Sequence, residues 1–243
     1  MTKPESEWKT QQLATAYIEG IRGAIPGANL QLAVVAKIVR CWCVAPARIL
    51  DLGCGNGILG QMLLDIFPSA HGVFVDFSDP MLDAARENLP NARHVSVVKA
   101  DFGTPQWRDA VAMHQPFAII VSGFAIHHQP NERKRQLYSE IFDILTPGGI
   151  FLNLEHVTSR TLAGEQLFDE FFIDHLFDYH SIATPGTTRE GIAGAYYHRA
   201  DKKENMLAPF ERQCDWLREI GFADVDCFCK VFELALFGGR KGE

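Results

Sequence analysis

The apolar positions of the chain switch repeatedly between short continuous runs and helical spacing. Ile49, Leu50 and Leu52 suit a central strand, and Ile58, Leu59, Met62, Leu63, Ile66 and Phe67 then fall on one helical face. Further strand-like runs follow at His71 to Phe77, His94 to Lys99, Phe117 to Ser122 and Ile150 to Leu154. The fourth, Phe117 to Ser122, is almost wholly apolar, as a strand covered on both faces of a parallel sheet requires. Between it and the fifth, Glu132 to Leu145 reads as a helix burying Leu137, Ile141, Ile144 and Leu145 and showing Arg133, Lys134 and Arg135 to water. Upstream, Trp8 to Arg40 is mostly helical, with stripes at Leu13, Tyr17 and Ile18 and at Leu30 to Val39, broken at Gly27 after Pro26. Downstream, Pro209 to Ile220 reads as a helix, followed by strands at Val225 to Phe232 and Glu233 to Arg240. Strands alternating with helices predict an α/β, doubly wound sheet.

The 243 residues, 47% of them hydrophobic, are enough for one domain with a sizeable core. The balance of 23 basic against 30 acidic residues, a net charge of -7, argues against a nucleic-acid partner. Met1 to Lys9 lacks an apolar signal core and no apolar run approaches membrane-spanning length, so the expectation is a cytoplasmic protein with no membrane contact. The six cysteines lack the C-x-x-C spacing of a zinc site and read as small buried side chains, with a soft-metal cluster as the alternative. No metal is expected.

Chemistry concentrates at the ends of the predicted strands. Gly53, Gly55 and Gly57 form a turn between the first strand and its helix, where backbone can approach a ligand and free helix amides point back at it. Gly55-Asn-Gly57-Ile-Leu-Gly60 matches a dinucleotide fingerprint that places a pyrophosphate on those amides, whereas the carboxylate of Asp51 suits a cationic ligand better. Asp76, with Phe77 after it, ends the second strand nineteen residues beyond Gly57, a position from which one carboxylate can take both hydroxyls of a ribose. It could instead belong to a helix cap with Ser78 and Asp79. Asp101 and Phe102 end the third strand, where an acid can take an adenine amino group and an aromatic can cover the ring, or where Asp101 merely opens a turn. Ser122 and Gly123 end the fourth and lead to His127 and His128, candidates for substrate contact or proton removal; Glu155 and His156 end the fifth.

The ordered set Asp51 to Gly57, Asp76, Asp101, Ser122 to His128 and Pro147-Gly-Gly149 resembles the class I S-adenosylmethionine (SAM) dependent methyltransferases over roughly residues 45 to 155. The resemblance implies a Rossmann-like, mostly parallel seven-stranded sheet whose last two strands form an antiparallel hairpin. It also implies that Asp51, Gly53 and Gly55 surround the methionine end of SAM, that Asp76 binds the ribose, with Phe77 also among the cofactor-binding residues, that Asp101 and Phe102 hold the adenine, and that Ser122 or Gly123 closes the pocket near the sulfonium. The product would be S-adenosylhomocysteine (SAH). Ile25-Pro-Gly27 and Trp216-Leu-Arg-Glu-Ile-Gly-Phe222 are also similar to relatives of the tRNA wobble-uridine carboxymethyltransferase, although no arginine equivalent to the one expected there can be placed.

The expected organisation is a helical cap over residues 1–44, a SAM-binding core over 45–156, a helical substrate lid over 157–206, and a closing helix and hairpin over 207–243. In the lid, Phe168, Phe171, Phe172, His175, Leu176 and Tyr179 form a stripe that could pack on the sheet, over a substrate, or against a second subunit as a homodimer. Ala195-Tyr-Tyr-His-Arg199 supplies polar groups to the same region. The expected function is methyl transfer from SAM to an enclosed small molecule. His128, Glu155 or His198 would serve as base where the acceptor must lose a proton. The alternatives are a tRNA-modifying relative, a SAM-binding subunit without activity, and an NAD-dependent oxidoreductase.

Overall fold

The computed structural model describes Thr10, residues 24–89 and residues 94–243. The strands are β1 (Arg48–Leu52), β2 (His71–Asp76), β3 (Val95–Lys99), β4 (Phe117–Gly123), β5 (Leu145–His156), β6 (Phe222–Val231) and β7 (Leu234–Lys241). They form one sheet in the order β3-β2-β1-β4-β5-β7-β6. The first five pair in parallel, and β7 is antiparallel to both β5 and β6. The expected hairpin is therefore present, but its second strand lies inside the sheet and its first at the edge. Helices α1 (Ala28–Trp42), α2 (Ile58–Ile66), α3 (Asp79–Asn88), the single turn α4 (Trp107–Ala110), α5 (Asn131–Ile144), α6 (Leu162–Ala183), α7 (Arg189–Tyr197) and α8 (Phe210–Ile220) complete the described fold. Among the described residues no helix is long and apolar enough to cross a membrane.

Successive side chains of a strand point to opposite faces, so the sheet has two cores. Leu50, Leu52, Ile120 and Phe151 meet Leu137 and Ile141 of α5 and Leu217 of α8 on one face. Ile49, Val121 and Leu152 meet Val35 and Val39 of α1 and Leu59 and Leu63 of α2 on the other. A third cluster joins Phe168, Phe172, Ile173 and Leu176 of α6 to Tyr196 of α7 and Leu234 of β7. Thr161 and Thr188 start α6 and α7 by accepting the amides of Gly164 and Gly191 at 3.0 and 3.1 Å.

Three helix faces differ from the periodicity reading. In α1, Leu30 is exposed while Val35, Ile38 and Val39 are buried; the stripe expected at Leu13, Tyr17 and Ile18 lies outside the described residues. In α2 the buried side is Leu59, Leu63 and Leu64, with Ile58, Met62 and Ile66 only half-buried. In α5, Arg133 and Lys134 are buried, not turned to water. Arg133 stands four residues before Leu137, and Lys134 four before Tyr138, so both share the buried side of the helix. Each has a partner there: Arg133 donates to both oxygens of Glu140 (2.7 and 2.6 Å) and to the Phe102 carbonyl (2.8 Å), and Lys134 Nζ donates to the Met206 carbonyl. A buried cation is tolerated when it is paired.

Candidate active site

The connection from β1 runs to β2 on one side of the sheet and onward to β4 on the other, which makes the gap between β1 and β4 the switch point where open α/β sheets bind ligands. Gly53, Gly55 and Gly57 sit there with φ of 69°, 53° and 82°, backbone that favours glycine. The Gly53 and Cys54 amides are held by the Val75 carbonyl at 2.8 and 2.9 Å, which anchors the turn to β2. Asp51 lies between Leu50 and Leu52, so its side chain faces α2. Its Oδ2 accepts the Gly60 amide at 2.8 Å, and the residue is buried. This carboxylate caps the helix that the turn opens.

Asp76, at the tip of β2, accepts the Gly55 amide through Oδ2 and the Ser78 amide through Oδ1, each at 2.9 Å. Burial pushes its pKa up, and the amides of Ser78, Gly55 and Phe77 pull against that. An ionised carboxylate has about four lone-pair positions, so these amides leave capacity for a hydroxyl donor. The turn also leaves room: a Cβ on Gly55 would meet only Met81 Sδ, at 3.9 Å, whereas one on Gly53 would come within 2.4 Å of Ala125 Cβ. The residues present thus fit a nucleoside whose ribose meets Asp76 and whose chain crosses Gly55. Phe77 is half-buried beside this position. Asp101 is exposed, with Oδ1 accepting the Gly103 amide at 2.7 Å. Phe102 is buried in the core, its ring 3.2 Å from the Cβ position of Gly53, so it supports the turn from beneath. Ser122 is also buried and donates to the Leu52 carbonyl at 2.7 Å, a bond that ties β4 to β1.

Beyond the carboxyl ends of β4 and β5 is a cavity of about 60 Å³. Ile25, Phe124, Phe168, Phe172 and Leu234 give it apolar walls, while His127, His156, Tyr196, Arg199 and Asp201 supply its polar groups. Arg199 Nε lies 3.1 Å from Asp201 Oδ1, and its guanidinium stands 5.3 Å from the centre of the Tyr196 ring. The Tyr196 hydroxyl donates to Asp169 at 2.6 Å. Under the cavity, Glu155 is fully buried and its Oε1 lies 2.6 Å from His127 Nδ1 and accepts the His156 amide at 2.9 Å. Burial raises the Glu155 pKa to about 7 against the pull of Lys134 and the His156 amide. Burial also pushes His127 down to about 3, helped by Lys134 and Arg199, and carries His156 well below the usual histidine range. The His128 ring lies tilted against that of His127, their centres 4.0 Å apart, and is likewise pushed down to about 3 by burial. The Met206 amide donates to the His127 carbonyl at 2.9 Å, so the segment after α7 is pinned from both sides by the histidine turn and Lys134.

The residues expected from sequence therefore divide. Gly53, Gly55, Asp76 and Phe77 share the turn; Asp51, Phe102 and Ser122 brace it from within; Asp101 stands at its edge. Glu155 lies beneath the cavity next to His127, whereas His198 is exposed at the end of α7, bonded through Nδ1 to the Gly194 carbonyl at 2.8 Å, and does not line the cavity. Arg199 and Tyr196, its neighbours in sequence, do. His156, at the tip of the fifth strand with Glu155, and Arg199, at the end of the polar run of the lid, both line the cavity. Among the described residues no group of three or more His, Cys, Asp or Glu side chains could hold a metal, and all six cysteines are free.

A glycine turn braced by two strand-end carboxylates, on a sheet closed by an antiparallel pair, defines a class I SAM-dependent methyltransferase. Residues 49–149 match the methyltransferase domain family, which supports this class for the chain. It is 36% identical over 164 residues to a trans-aconitate 2-methyltransferase of Acidovorax sp. (strain JS42), covering 68% of this chain and 53% of that protein. The carboxy-S-adenosyl-L-methionine synthase of Shewanella amazonensis is 27% identical over 233 residues, covering 92% and 88%. The solved structure of an S-adenosyl-L-methionine-dependent methyltransferase from Methanococcus maripaludis superposes with a TM-score of 0.61 at 16% identity, covering 100% of this chain and 98% of that one. The chain spans about half the length of the first curated relatives it matches.

Proposed function

We propose that the protein binds SAM across the glycine turn and transfers its methyl group to a small acceptor enclosed beneath α6 and α7, with an anionic group of that acceptor held by Arg199. The carrying observation is that the glycine turn and the cavity both lie beyond the carboxyl ends of neighbouring parallel strands. Asp76 and Gly55 form a nucleoside cradle at the switch point, and the cavity beyond β4 and β5 is lined by the half-buried guanidinium of Arg199. In this reading Asp76 takes a ribose hydroxyl, Phe77 and Asp101 border the adenine, and the walls Phe124, Phe168 and Phe172 exclude water from the reacting atoms. Arg199 offers planar donors suited to a carboxylate, and its neighbour Asp201 keeps it oriented. The relative named for trans-aconitate, a polycarboxylate, supports an acidic acceptor. SAM would supply a methyl carbon on a sulfonium, and the protein gains rate by holding the acceptor close and in line. Helices α6 and α7 serve as the substrate lid.

A second reading is favoured by the extent of the match to the carboxy-S-adenosyl-L-methionine synthase: Arg199 holds a carboxylate carried by the nucleoside itself. Mass analysis of nucleosides carried through purification, followed by calorimetry with SAM, SAH and NAD, separates the possibilities. SAM or SAH binding without NAD binding supports methyl transfer, a nucleoside heavier by a carboxyl group supports the second reading, and NAD binding alone overturns both.

A further inference from the structure

Beneath the cavity, the pairing of His127 with Glu155 has a chemical consequence that the cofactor site does not. Glu155 ends β5 with no exposed surface, and its Oε1 is 2.6 Å from Nδ1 of His127, whose ring lines the cavity. A carboxylate in this place accepts the Nδ1 proton, which leaves the other ring nitrogen, Nε2, with a lone pair on the cavity side of the ring. We propose that Glu155 is a positioning residue that fixes His127 in this tautomer, and that His127 takes a proton from the acceptor, so that the site serves an acceptor whose nucleophilic atom carries a proton, a hydroxyl in particular. The proposal rests on the methyltransferase reading and narrows its substrate class.

The surroundings sustain that arrangement from every side. Lys134 on α5 places a cation by the carboxylate, and Tyr138 of the same helix gives its hydroxyl proton to Gln213 at 2.6 Å and so does not compete for Glu155. His128 and His156 flank the ring, held neutral by burial, and Arg199 and Asp201 face it from the lid side. A bare carboxylate or thiolate nucleophile needs no proton acceptor, whereas a hydroxyl does. In the step itself the acceptor O–H proton passes to Nε2 as the O–CH3 bond forms. The electrons of the broken S–CH3 bond remain on sulfur, which loses its positive charge, and the imidazolium is balanced by Glu155 until the proton leaves for water.

The arrangement can be read without turnover. In ligand-free protein labelled with 15N-histidine, two-bond correlation spectra at pH 8 should show His127 neutral with the proton on Nδ1. In Glu155→Gln, whose amide can donate to Nδ1, the proton should move to Nε2, and Glu155→Asp should restore the original pattern at least in part. An Nε2–H tautomer or a cationic ring in the wild type overturns the proposal. With SAM and a panel of hydroxybenzoates as probes, the wild type should form methyl ethers, and His127→Gln should lose about 100-fold or more in rate. No ether, esters in place of ethers, or an undiminished His127→Gln overturns the acceptor class. SAH binding by calorimetry in each variant reports folding and the cofactor reading separately: protein that binds SAH but shows the wrong tautomer refutes only this inference.

Discussion

Asp76 and Gly55 meet through a single 2.9 Å bond, the carboxylate oxygen at the end of β2 accepting the amide in the middle of the β1 turn. One side chain thereby sets the shape of the turn and offers the lone pairs expected to hold a ribose. Asp76→Ala should lower SAH affinity by about 2 kcal/mol, roughly 30-fold, the scale of a hydrogen bond to a charged group. Calorimetry measures it, and an unchanged affinity would remove Asp76 from the cofactor site.

The two glycines of the turn should respond differently to a methyl group. Alanine at position 53 meets Ala125 Cβ at 2.4 Å in left-handed backbone, so Gly53→Ala should destabilise the fold by about 2 kcal/mol or more. At position 55 the nearest atom is 3.9 Å away, so Gly55→Ala should cost only the backbone strain, about 1–2 kcal/mol, while obstructing the approach of the ligand. Denaturant melts paired with SAH titrations should therefore place the larger stability loss at Gly53 and a disproportionate affinity loss at Gly55.

Arg199 should matter for an acidic ligand and not for the nucleoside. With SAH present, Arg199→Met is expected to weaken binding of trans-aconitate, used as an anionic probe, by about tenfold or more, the loss of a charge-assisted contact. SAH affinity should change by less than roughly twofold. Equal losses for both ligands would show that the substitution disturbs the fold around α7.

Stability should fall in mild acid. His127 and His128 are pushed from an ordinary 6.5 down to about 3, so between those values the unfolded chain binds protons that the folded one refuses. Stability from these groups is present above about pH 6.5 and is lost as the pH drops below it. Glu155 acts in the opposite sense: with a pKa raised from 4.5 to about 7, it holds a proton in the folded state across that interval and offsets one histidine. His156, also depressed, adds to the histidine side. The melting temperature should be lower at pH 5 than at pH 7.5, and His128→Gln should flatten the difference. A melting temperature independent of pH would show that these histidines titrate normally.

The parts of this architecture that repeat were legible in the chain. Ile49, Leu50 and Leu52 marked a central strand because a sheet covered on both faces demands apolar residues on both, and the glycines after it marked the turn because other residues resist that backbone. Position within a helix is legible too, but at Arg133 and Lys134 residue type points to water where spacing points to the core. Their spacing puts them with Leu137 and Tyr138, and the partners that make burial tolerable, Glu140 and the Met206 carbonyl, are two turns and many residues away. Adjacent His127 and His128 could not be told apart because they sit in a 3-10 turn, where neither strand nor α-helical periodicity assigns a face. The same holds for the end of α7, where a helix cap exposes His198 while the next residue, Arg199, lines the cavity.

The position of β7 bears on how the molecule is made. Among the described residues β6 joins the sheet only through β7, and β7 occupies the slot against β5 that the preceding described strands leave open. During synthesis the five parallel strands can assemble first, but β5 then presents an unpaired edge beside the histidine turn until Leu234–Lys241 has emerged. A nascent or truncated chain that stops near Val231 has most of the nucleoside cradle and an open sheet edge. Such a species is a target for chaperone capture or for pairing with another chain, and tags or fusions attached close behind Lys241 act on the strand that closes the fold.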